Sequence, residues 1–366
     1  MGAHPKAPST VRVGGRTIPL GELIRRDPEG ILGPAAAGRF GGELPFLFKI
    51  IAPAAPLSIQ AHPDAQQARE GFERENQAGI PLDAPERNYR DSHHKPELLY
   101  PLGPFWAMGG FRSVPEMLAL LQAAGLGSTA GLADLIAGLG ADPSPGGLRR
   151  FFGALMSLEP ERAERIVARA AAWASGTGAE GGAARTAARR WVLKLHEHYP
   201  GDIGVLAPLL LDLVRLEAGQ AVFLGPGIPH AYLAGVGVEL MANSDNVLRG
   251  GLTPKHVDVP ELLRILRFDG PGVELLHPQS APGGETLFRT AAREFLLSEI
   301  RLEDREPYRA APRRNVEILL CVAGEARLAG GPPPLRLGRG RSILVPAAAP
   351  AYRLTGRARL FKATVP

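Results

Sequence analysis

One pattern of glycine, proline and apolar residues occurs twice in this chain. Residues 216–235 read LEAGQAVFLGPGIPHAYLAG and residues 337–356 read LGRGRSILVPAAAPAYRLTG, so the two align without gaps at an offset of 121. Five positions are identical, and each copy runs from a turn glycine through a strand and a proline turn into a second strand. Small jelly-roll barrels are built from such units, so the repeat predicts a duplicated β module. Because His230 of the first copy is Ala351 in the second, only the first module can carry a histidine site there.

Strand-like and helical patterns surround this repeat. The expected strands lie at 46–51, 57–62, 97–102, 222–224 and 236–241, and the expected short helices lie at 65–77 and 259–266. Between 113 and 200 the residues are rich in Ala, Leu and Arg at helical spacing, and Ser113 with Glu116 forms a capping box at the start. Gly- and Pro-rich breaks interrupt this segment at 125–127, 143–147 and 176–182. After 285 the chain returns to short strands and turns.

These patterns predict a mainly β protein with an inserted α domain, that is, two jelly-roll modules plus a helical domain. We place the first module, which carries His230, at 1–112 and 201–284. The helical domain then covers 113–200, and a second module without a metal site covers 285–366. The 366 residues, 45% hydrophobic and 22% charged, suffice for two or three packed units of an ordinary globular protein.

Composition excludes several classes of protein. Cys321 is the single cysteine, which excludes a disulfide framework and a cysteine-based zinc site. No apolar run approaches the roughly 20 residues of a membrane-spanning helix, so no membrane partner is expected. The first nine residues contain no hydrophobic signal segment, and we expect a cytoplasmic location.

Positive charge in this chain comes mainly from arginine. The net charge is +5, and six lysines leave 36 arginines among the 42 basic residues. The arginines are scattered and form no long basic block, so we expect no nucleic-acid partner. A mildly basic chain of this kind suits an enzyme that acts on an anionic small molecule. The oligomeric state does not follow from the sequence.

Four polar residues are candidate metal ligands. Gln60 and His62 stand two apart on an expected strand, so their side chains leave the same face about 7 Å apart. They form either the start of a metal site or a hydrogen-bonded pair at a strand end. Glu97 is either an anionic ligand or a surface carboxylate paired with Lys95. His230 follows a Gly/Pro turn that fixes it at the barrel mouth, and together the four form an N/N/O/O set that suits a catalytic zinc-type ion.

A second group of side chains could hold a phosphate. The loop from Glu239 to His256 is rich in Asn, Asp and Gly, which usually indicates turns alone. Donors that could converge on a phosphate are nevertheless present there and on the strands. They are Arg249, Lys255, Lys49, Lys95 and Ser58.

Long motifs connect these candidates with a known family. The segments are LPFLFK at 44–49, LSIQAHPD at 57–64, HKPE at 94–97, GPGIPHAY at 225–232 and MANSDNVLRGGLTPK at 241–255. In this order they closely resemble type I mannose-6-phosphate isomerases, and the resemblance spans most of the chain. It implies a cupin barrel that binds one zinc ion per chain and interconverts mannose 6-phosphate and fructose 6-phosphate through an enediol.

The resemblance also implies roles for single residues. The zinc ligands are Gln60, His62, Glu97 and His230, and the active-site arginine is Arg249. The sugar-phosphate pocket contains Ser58, Lys49, Lys95 and Lys255, with Glu239, Tyr232 and Asp245 nearby. The group that shuttles the proton stays open among Glu239, Asp245, Lys95 and a metal-bound water.

One departure from the family keeps alternatives open. Family members begin with an additional segment that contains a Trp-Gly motif, whereas the numbering here starts inside the stretch that follows. We expect a missing N-terminal strand to expose a barrel edge. One alternative function is therefore a sugar-phosphate-binding protein of the same fold whose catalysis is impaired. An iron-dependent cupin oxygenase is a further alternative, independent of the N-terminus.

Overall fold

Two β units and a set of helices form this protein. The computed structural model describes residues 1–176, 182–270, 272–303, 306–330 and 334–366. Within these residues no helix is long and apolar enough to cross a membrane. The break expected at 176–182 lies mostly outside the described residues.

The helices fall into an N-terminal group, an inserted group and single helices near the first β unit. Those of the described residues are α1 (Leu20–Arg26), α2 (Pro28–Leu32), α3 (Pro34–Arg39), α4 (Ala65–Gln77), α5 (Val114–Ala123), α6 (Ala133–Ala141), α7 (Pro145–Met156), α8 (Pro160–Ser175), α9 (Gly182–His198), α10 (Ala207–Leu210) and α11 (Val259–Ile265). The predicted capping box at Ser113 is confirmed, because its hydroxyl accepts from the Glu116 amide and the Glu116 side chain accepts from the Ser113 amide.

In the part of the chain that the structure describes, the strands form four sheets. They are β1 (Thr10–Val13), β2 (Arg16–Pro19), β3 (Phe46–Ile51), β4 (Gln60–Ala61), β5 (Glu97–Pro101), β6 (Phe105–Phe111), β7 (Leu211–Leu216), β8 (Val222–Leu224), β9 (His230–Ala234), β10 (Gly237–Ala242), β11 (Leu248–Arg249), β12 (Glu274–Leu275), β13 (Gln279–Ala281), β14 (Glu285–Phe288), β15 (Leu296–Glu303), β16 (Tyr308–Arg309), β17 (Glu317–Ala329), β18 (Leu335–Gly338), β19 (Ser342–Val345) and β20 (Arg353–Thr364). The β1–β2 hairpin forms one sheet by itself.

Two five-stranded antiparallel sheets form the first β unit. Their strand orders are β12-β8-β5-β10-β3 and β11-β4-β9-β6-β7, and α5 to α10 lie between β6 and β7 in the sequence. The remaining strands form one eight-stranded sheet, with β13-β14-β15-β20-β17-β18 in order and with β16 and β19 paired to β20 and β17. The fold class predicted from the sequence, mainly β with an inserted α domain, is confirmed.

The strand period of two decides which residues face the site. In β5 and β10, Leu98 and Leu240 belong to a core cluster shared with the C-terminal strands, together with Phe361. The alternate residues therefore point the other way, toward the interior of the first unit, where Glu97 and Glu239 lie on neighbouring strands. The inserted helices pack on the second sheet, because residues of β4, β9 and β11 share one core cluster with α5 to α9.

The duplicated stretch adopts corresponding backbone conformations in its two copies. Gly219 and Gly340 precede β8 and β19 at φ 102° and 79°, and Gly235 and Gly356 follow at φ 132° and 109°. These φ values favour glycine, because a Cβ crowds the adjacent backbone there. Two pairs of identical residues in the repeat are thus explained by backbone conformations that favour glycine.

Two strand expectations were wrong in extent. Only β4 forms within the strand expected at 57–62. The Leu57 amide donates to Tyr232 in β9, whereas the Ile59 amide donates to Gly251 beyond β11, so the two residues pair with different segments. The C-terminal segment is not made of short strands only: β17 and β20 have 13 and 12 residues. Gly324 at φ 72° and Gly356 allow these strands to bend without ending.

Candidate metal centre

Three buried side chains converge inside the first β unit. Glu97 opens β5, His230 opens β9, and His62 follows the last residue of β4. Each is only 1% exposed. One possible ligand atom from each lies within 4.8 Å of the other two. These residues come from three distant parts of the sequence, so the fold alone brings them together.

Backbone carbonyls fix the orientation of both imidazoles. Nδ1 of His62 lies 2.8 Å from the carbonyl oxygen of Asn246, and Nδ1 of His230 lies 2.9 Å from that of Ile228. A carbonyl oxygen can only accept a hydrogen bond, so Nδ1 donates in each ring, and in the neutral form of such a ring Nε2 carries the lone pair. Burial, with the nearby Lys95 charge, lowers the pKa of His62 to about 4, so this ring is neutral at pH 7.

The two Nε2 atoms fit a metal ion. Both are buried, and neither has a hydrogen-bond partner among the described residues. Nε2 of His62 lies 3.1 Å from Oε1 of Glu97, and Nε2 of His230 lies 3.6 Å from Oε2 of Glu97. Lone pairs facing a carboxylate at such distances repel unless a cation lies between them. Ligand atoms about 2.05 Å from a tetrahedral zinc are separated by about 3.3 Å, which falls between the two distances.

The carboxylate of Glu97 is held in its charged form. Burial alone would raise its pKa, but the nearby charge of Lys95 is the largest influence that lowers it, and the pKa lies well below the ordinary value. Nζ of Lys95 lies 3.2 Å from Oε1, and the Tyr232 hydroxyl donates to Oε2 at 3.1 Å. An anionic oxygen ligand is therefore available at neutral pH.

Gln60 and Arg249 lie in register beside His230. In the second sheet Gln60 is directly opposite His230 on one side and Arg249 on the other. Directly opposed residues of antiparallel strands present their side chains on the same face. The fourth sequence-predicted ligand and the predicted active-site arginine therefore share the face of His230. Arg249 is half-buried, and burial together with the nearby Arg90 charge lowers its pKa.

A second carboxylate lies near Glu97 on the same sheet. Glu239 is 4% exposed, and its Oε2 accepts from Nζ of Lys49 at 3.1 Å. Burial, and then repulsion from Glu97, raises the pKa of Glu239 despite the two nearby lysine charges. Nζ of Lys49 also lies 2.8 Å from Sδ of Met241. Burial and the charges of both glutamates raise the pKa of Tyr232 well above its usual value.

The remaining predicted residues make no hydrogen bond or ion pair with His62, Glu97 or His230 in the described part of the chain. Asp245 pairs with Nε2 of His4 at 3.1 Å and Nζ of Lys6 at 2.8 Å, and these partners outweigh the effect of burial and lower its pKa. Ser58 is half-buried, and its hydroxyl makes no hydrogen bond within the described part of the chain. Lys255 is exposed, and its ammonium forms no ion pair among the described residues.

Sequence reasoning missed the residues that support the centre from outside. Asn246 and Ser244 bind the loop before Glu97, to His93 and to the carboxylate of Asp91 respectively. Asn246, Ser244 and Asp91 lie in or next to quoted motifs, but an Asn- and Asp-rich loop is usually a turn. No signal in one sequence separates a buried asparagine from an exposed one.

Comparison with known proteins decides the family. The curated mannose-6-phosphate isomerase of Escherichia coli (strain K12) is 41% identical to this chain over 364 residues, which cover 98% of this chain and 89% of that protein. The chain belongs to the type I phosphomannose isomerase family. A family model described as phosphomannose isomerase type I, catalytic domain, matches residues 1–114. A probable mannose-6-phosphate isomerase of Caenorhabditis elegans is 31% identical over 96% of this chain and 81% of its own length.

Solved structures of this family have the same overall fold. A zinc-bound crystal structure of mannose 6-phosphate isomerase superposes with a TM-score of 0.87 at 38% identity, covering 100% of this chain and 90% of that one. A variant of phosphomannose isomerase from Salmonella typhimurium gives a TM-score of 0.88 at 38% identity, with the same two coverages. The predicted family is confirmed.

Proposed function

We propose that this chain is a zinc-dependent aldose–ketose isomerase that interconverts mannose 6-phosphate and fructose 6-phosphate. The observation that carries the proposal is the convergence of His62, Glu97 and His230 in a chain that is 41% identical to a curated mannose-6-phosphate isomerase. The orphaned Nε2 atoms and the ionised carboxylate support one zinc ion per chain, with the side-chain oxygen of Gln60 as the fourth ligand. Zinc, when bound, supplies Lewis-acid stabilisation of negative charge on the sugar oxygens.

The cationic side chains hold and orient the anionic substrate. Arg249 projects from the same face as Gln60 and His230, so its guanidinium is suited to stabilising charge that develops on the enediol or to binding the phosphate. Ser58 and Lys255 complete the phosphate pocket in this proposal, as donors without partners of their own in the described structure. Lys95 keeps Glu97 ionised, and Lys49 keeps a positive charge beside Glu239.

Glu239 is the residue whose environment best supports proton transfer between C1 and C2. A general base works best when its pKa approaches the operating pH, and burial beside Glu97 raises the pKa of Glu239. Asp245 has a lowered pKa and two cationic partners, which make it a weaker base. Lys95 is held by Glu97. We therefore assign the proton shuttle to Glu239, with Tyr232 closing the buried side of the pocket.

The remaining proposals concern organisation and surroundings. We propose a catalytic unit at 1–112 and 201–284, a helical unit at 113–200 and a C-terminal unit at 285–366 that binds no metal. The partner is a small sugar phosphate and not a nucleic acid, and the site of action is the cytoplasm. The convergence of His62, Glu97 and His230 supports an active enzyme over a sugar-phosphate-binding protein without turnover.

A coupled assay tests the function. Fructose 6-phosphate formation from mannose 6-phosphate is measured after removal of metal by a chelator and again after addition of one equivalent of zinc. We expect activity to disappear and then to return. Stoichiometric zinc binding without turnover would instead indicate the binding protein, and activity that depends on dioxygen and iron would indicate the oxygenase.

A further inference from the structure

Asn246 is a fully buried residue to which no role has been assigned. Its side chain has 0% exposure and forms hydrogen bonds with both of its polar atoms. Oδ1 accepts from the amides of Arg90 at 2.7 Å and Asp91 at 3.2 Å. Nδ2 donates to the carbonyl oxygens of Asp91 at 2.7 Å and His93 at 2.9 Å. A primary amide has two donors and two acceptor lone pairs, so this side chain uses its full capacity.

The main chain of the same residue contacts a different part of the centre. The Asn246 carbonyl accepts from Nδ1 of His62 at 2.8 Å. Two residues later β11 begins, where Arg249 is paired with Gln60. The loop that the Asn246 side chain binds leads through Lys95 to Glu97. Asn246 therefore connects the segment that carries Glu97 with the ring of His62.

We propose that Asn246 is a positioning residue that sets the separation of His62 and Glu97 and thereby the affinity for zinc. The inference rests on the zinc site of the proposed function. Its physical basis is that four hydrogen bonds fix the side chain against the 90–93 loop, so the Asn246 carbonyl cannot move without breaking them. The carbonyl in turn fixes the tautomer and the direction of Nε2 of His62, and such outer contacts control metal affinity.

Neighbouring residues strengthen this connection. The Asp245 amide donates to Oδ2 of Asp91 at 2.8 Å, and the Ser244 hydroxyl donates to Oδ1 of Asp91 at 2.8 Å. The same hydroxyl accepts from the Asn246 amide at 3.2 Å. Side chains of the 90–93 loop and of residues 244–246 thus join these two segments, and the contact between them is rigid. Replacing the amide of Asn246 by a carboxylate turns Nδ2 into an acceptor that faces two carbonyl oxygens.

The test compares Asn246→Asp and Asn246→Ala with Asn315→Ala. Asn315 is a matched control, because its Nδ2 also donates to a carbonyl, that of Val365 at 3.2 Å, but in the C-terminal unit. Zinc affinity is measured by competition with a chromogenic chelator, and the ligand geometry by the visible spectrum of the cobalt(II)-substituted proteins. We expect both Asn246 variants to bind zinc about 10–100-fold more weakly and to show an altered cobalt spectrum. The Asn315 variant should match the wild type in both.

Unchanged zinc affinity and an unchanged cobalt spectrum in a folded Asn246 variant would overturn the inference. If neither variant folds, the imidazole ¹⁵N spectrum of the metal-free wild type is measured, because it shows which ring nitrogen of His62 carries the proton. A proton on Nδ1 and none on Nε2 of His62 supports positioning before metal binding, and the opposite tautomer contradicts it. A wild type that binds no zinc would refute the proposed function itself, so the two failures are distinguishable.

Discussion

Lys362 gives a stability prediction that can be worked from the structure. Its Nζ lies 2.7 Å from Oε1 of Glu285 and 3.3 Å from Oε1 of Glu317, and it donates to the Tyr308 hydroxyl at 3.0 Å. The Lys362 side chain is 10% exposed, and those of the two glutamates are 10% and 4% exposed. This ammonium is an internal counterion inside the C-terminal sheet. Its pKa is raised because the two carboxylates and Tyr308 outweigh the effect of burial.

The perturbation is Lys362→Met, which keeps the aliphatic stem and removes the charge. After it, Glu285 keeps the Tyr308 hydroxyl as its one partner among the described residues, and Glu317 keeps the Tyr352 hydroxyl at 2.9 Å and Nε of Arg314 at 3.4 Å. Removing one partner of a buried ion pair typically lowers the free energy of unfolding by 3–5 kcal/mol. Because Arg314 still partly compensates one carboxylate, we expect about 3 kcal/mol, near the lower end of that range.

Urea denaturation followed by circular dichroism measures this loss. The control is Arg336→Met, since the Arg336–Glu325 pair has a similar distance of 2.8 Å but side chains that are 71% and 44% exposed. That variant should unfold at the same urea concentration as the wild type, because exposed ion pairs contribute little. Equal midpoints for Lys362→Met and the wild type would refute the counterion argument. A Lys362→Met, Glu285→Gln double variant should lose less stability than the two single changes added together.

Further predictions concern the centre and the pH dependence of stability. Gln60→Ala and His230→Ala should lower zinc content and isomerase activity together, and full zinc content in both would break the ligand assignment. Tyr232→Phe removes a donor to Glu97, so zinc should bind about tenfold more weakly while the urea midpoint barely moves; unchanged zinc affinity would contradict this contact. The pKa of Glu261 is lowered because hydrogen bonds from Arg264 and Tyr89 outweigh burial. A depressed pKa stabilises the fold above the unfolded value of about 4.5 and loses this contribution as the pH falls. Glu261→Gln should therefore flatten the acid side of the stability profile, and an unaltered profile would contradict the assignment.

Much of the fold was predictable because local rules determine it. The capping residue Ser113, the strand at 46–51 and the helix at 65–77 follow from side-chain periodicity and local hydrogen bonding, and the structure has all three. The strand expected at 57–62 failed, because its length depends on which distant segments offer partners. Leu57 donates to Tyr232, whereas Ile59 pairs with the segment at Gly250 and Gly251, and nothing in the local sequence indicates these two different partners.

The site shows the same division between local and distant information. His62, Glu97 and His230 were recognised from long motifs, since their chemistry is carried by residue type and by the turns around them. Asn246 was overlooked, because its importance arises from amides and carbonyls of the 90–93 loop, more than 150 residues away. Because every residue type supplies a backbone carbonyl and nearly every type an amide, the sequence of the 90–93 loop does not show that Asn246 binds it.

The most direct test of the central claim is anomalous diffraction at the zinc absorption edge from crystals of the purified protein. We expect one strong peak per chain, about 2.0–2.3 Å from Nε2 of His62, Nε2 of His230 and an oxygen of Glu97. A peak elsewhere in the molecule, or crystals of fully active enzyme with no peak between these three side chains, would contradict this expectation.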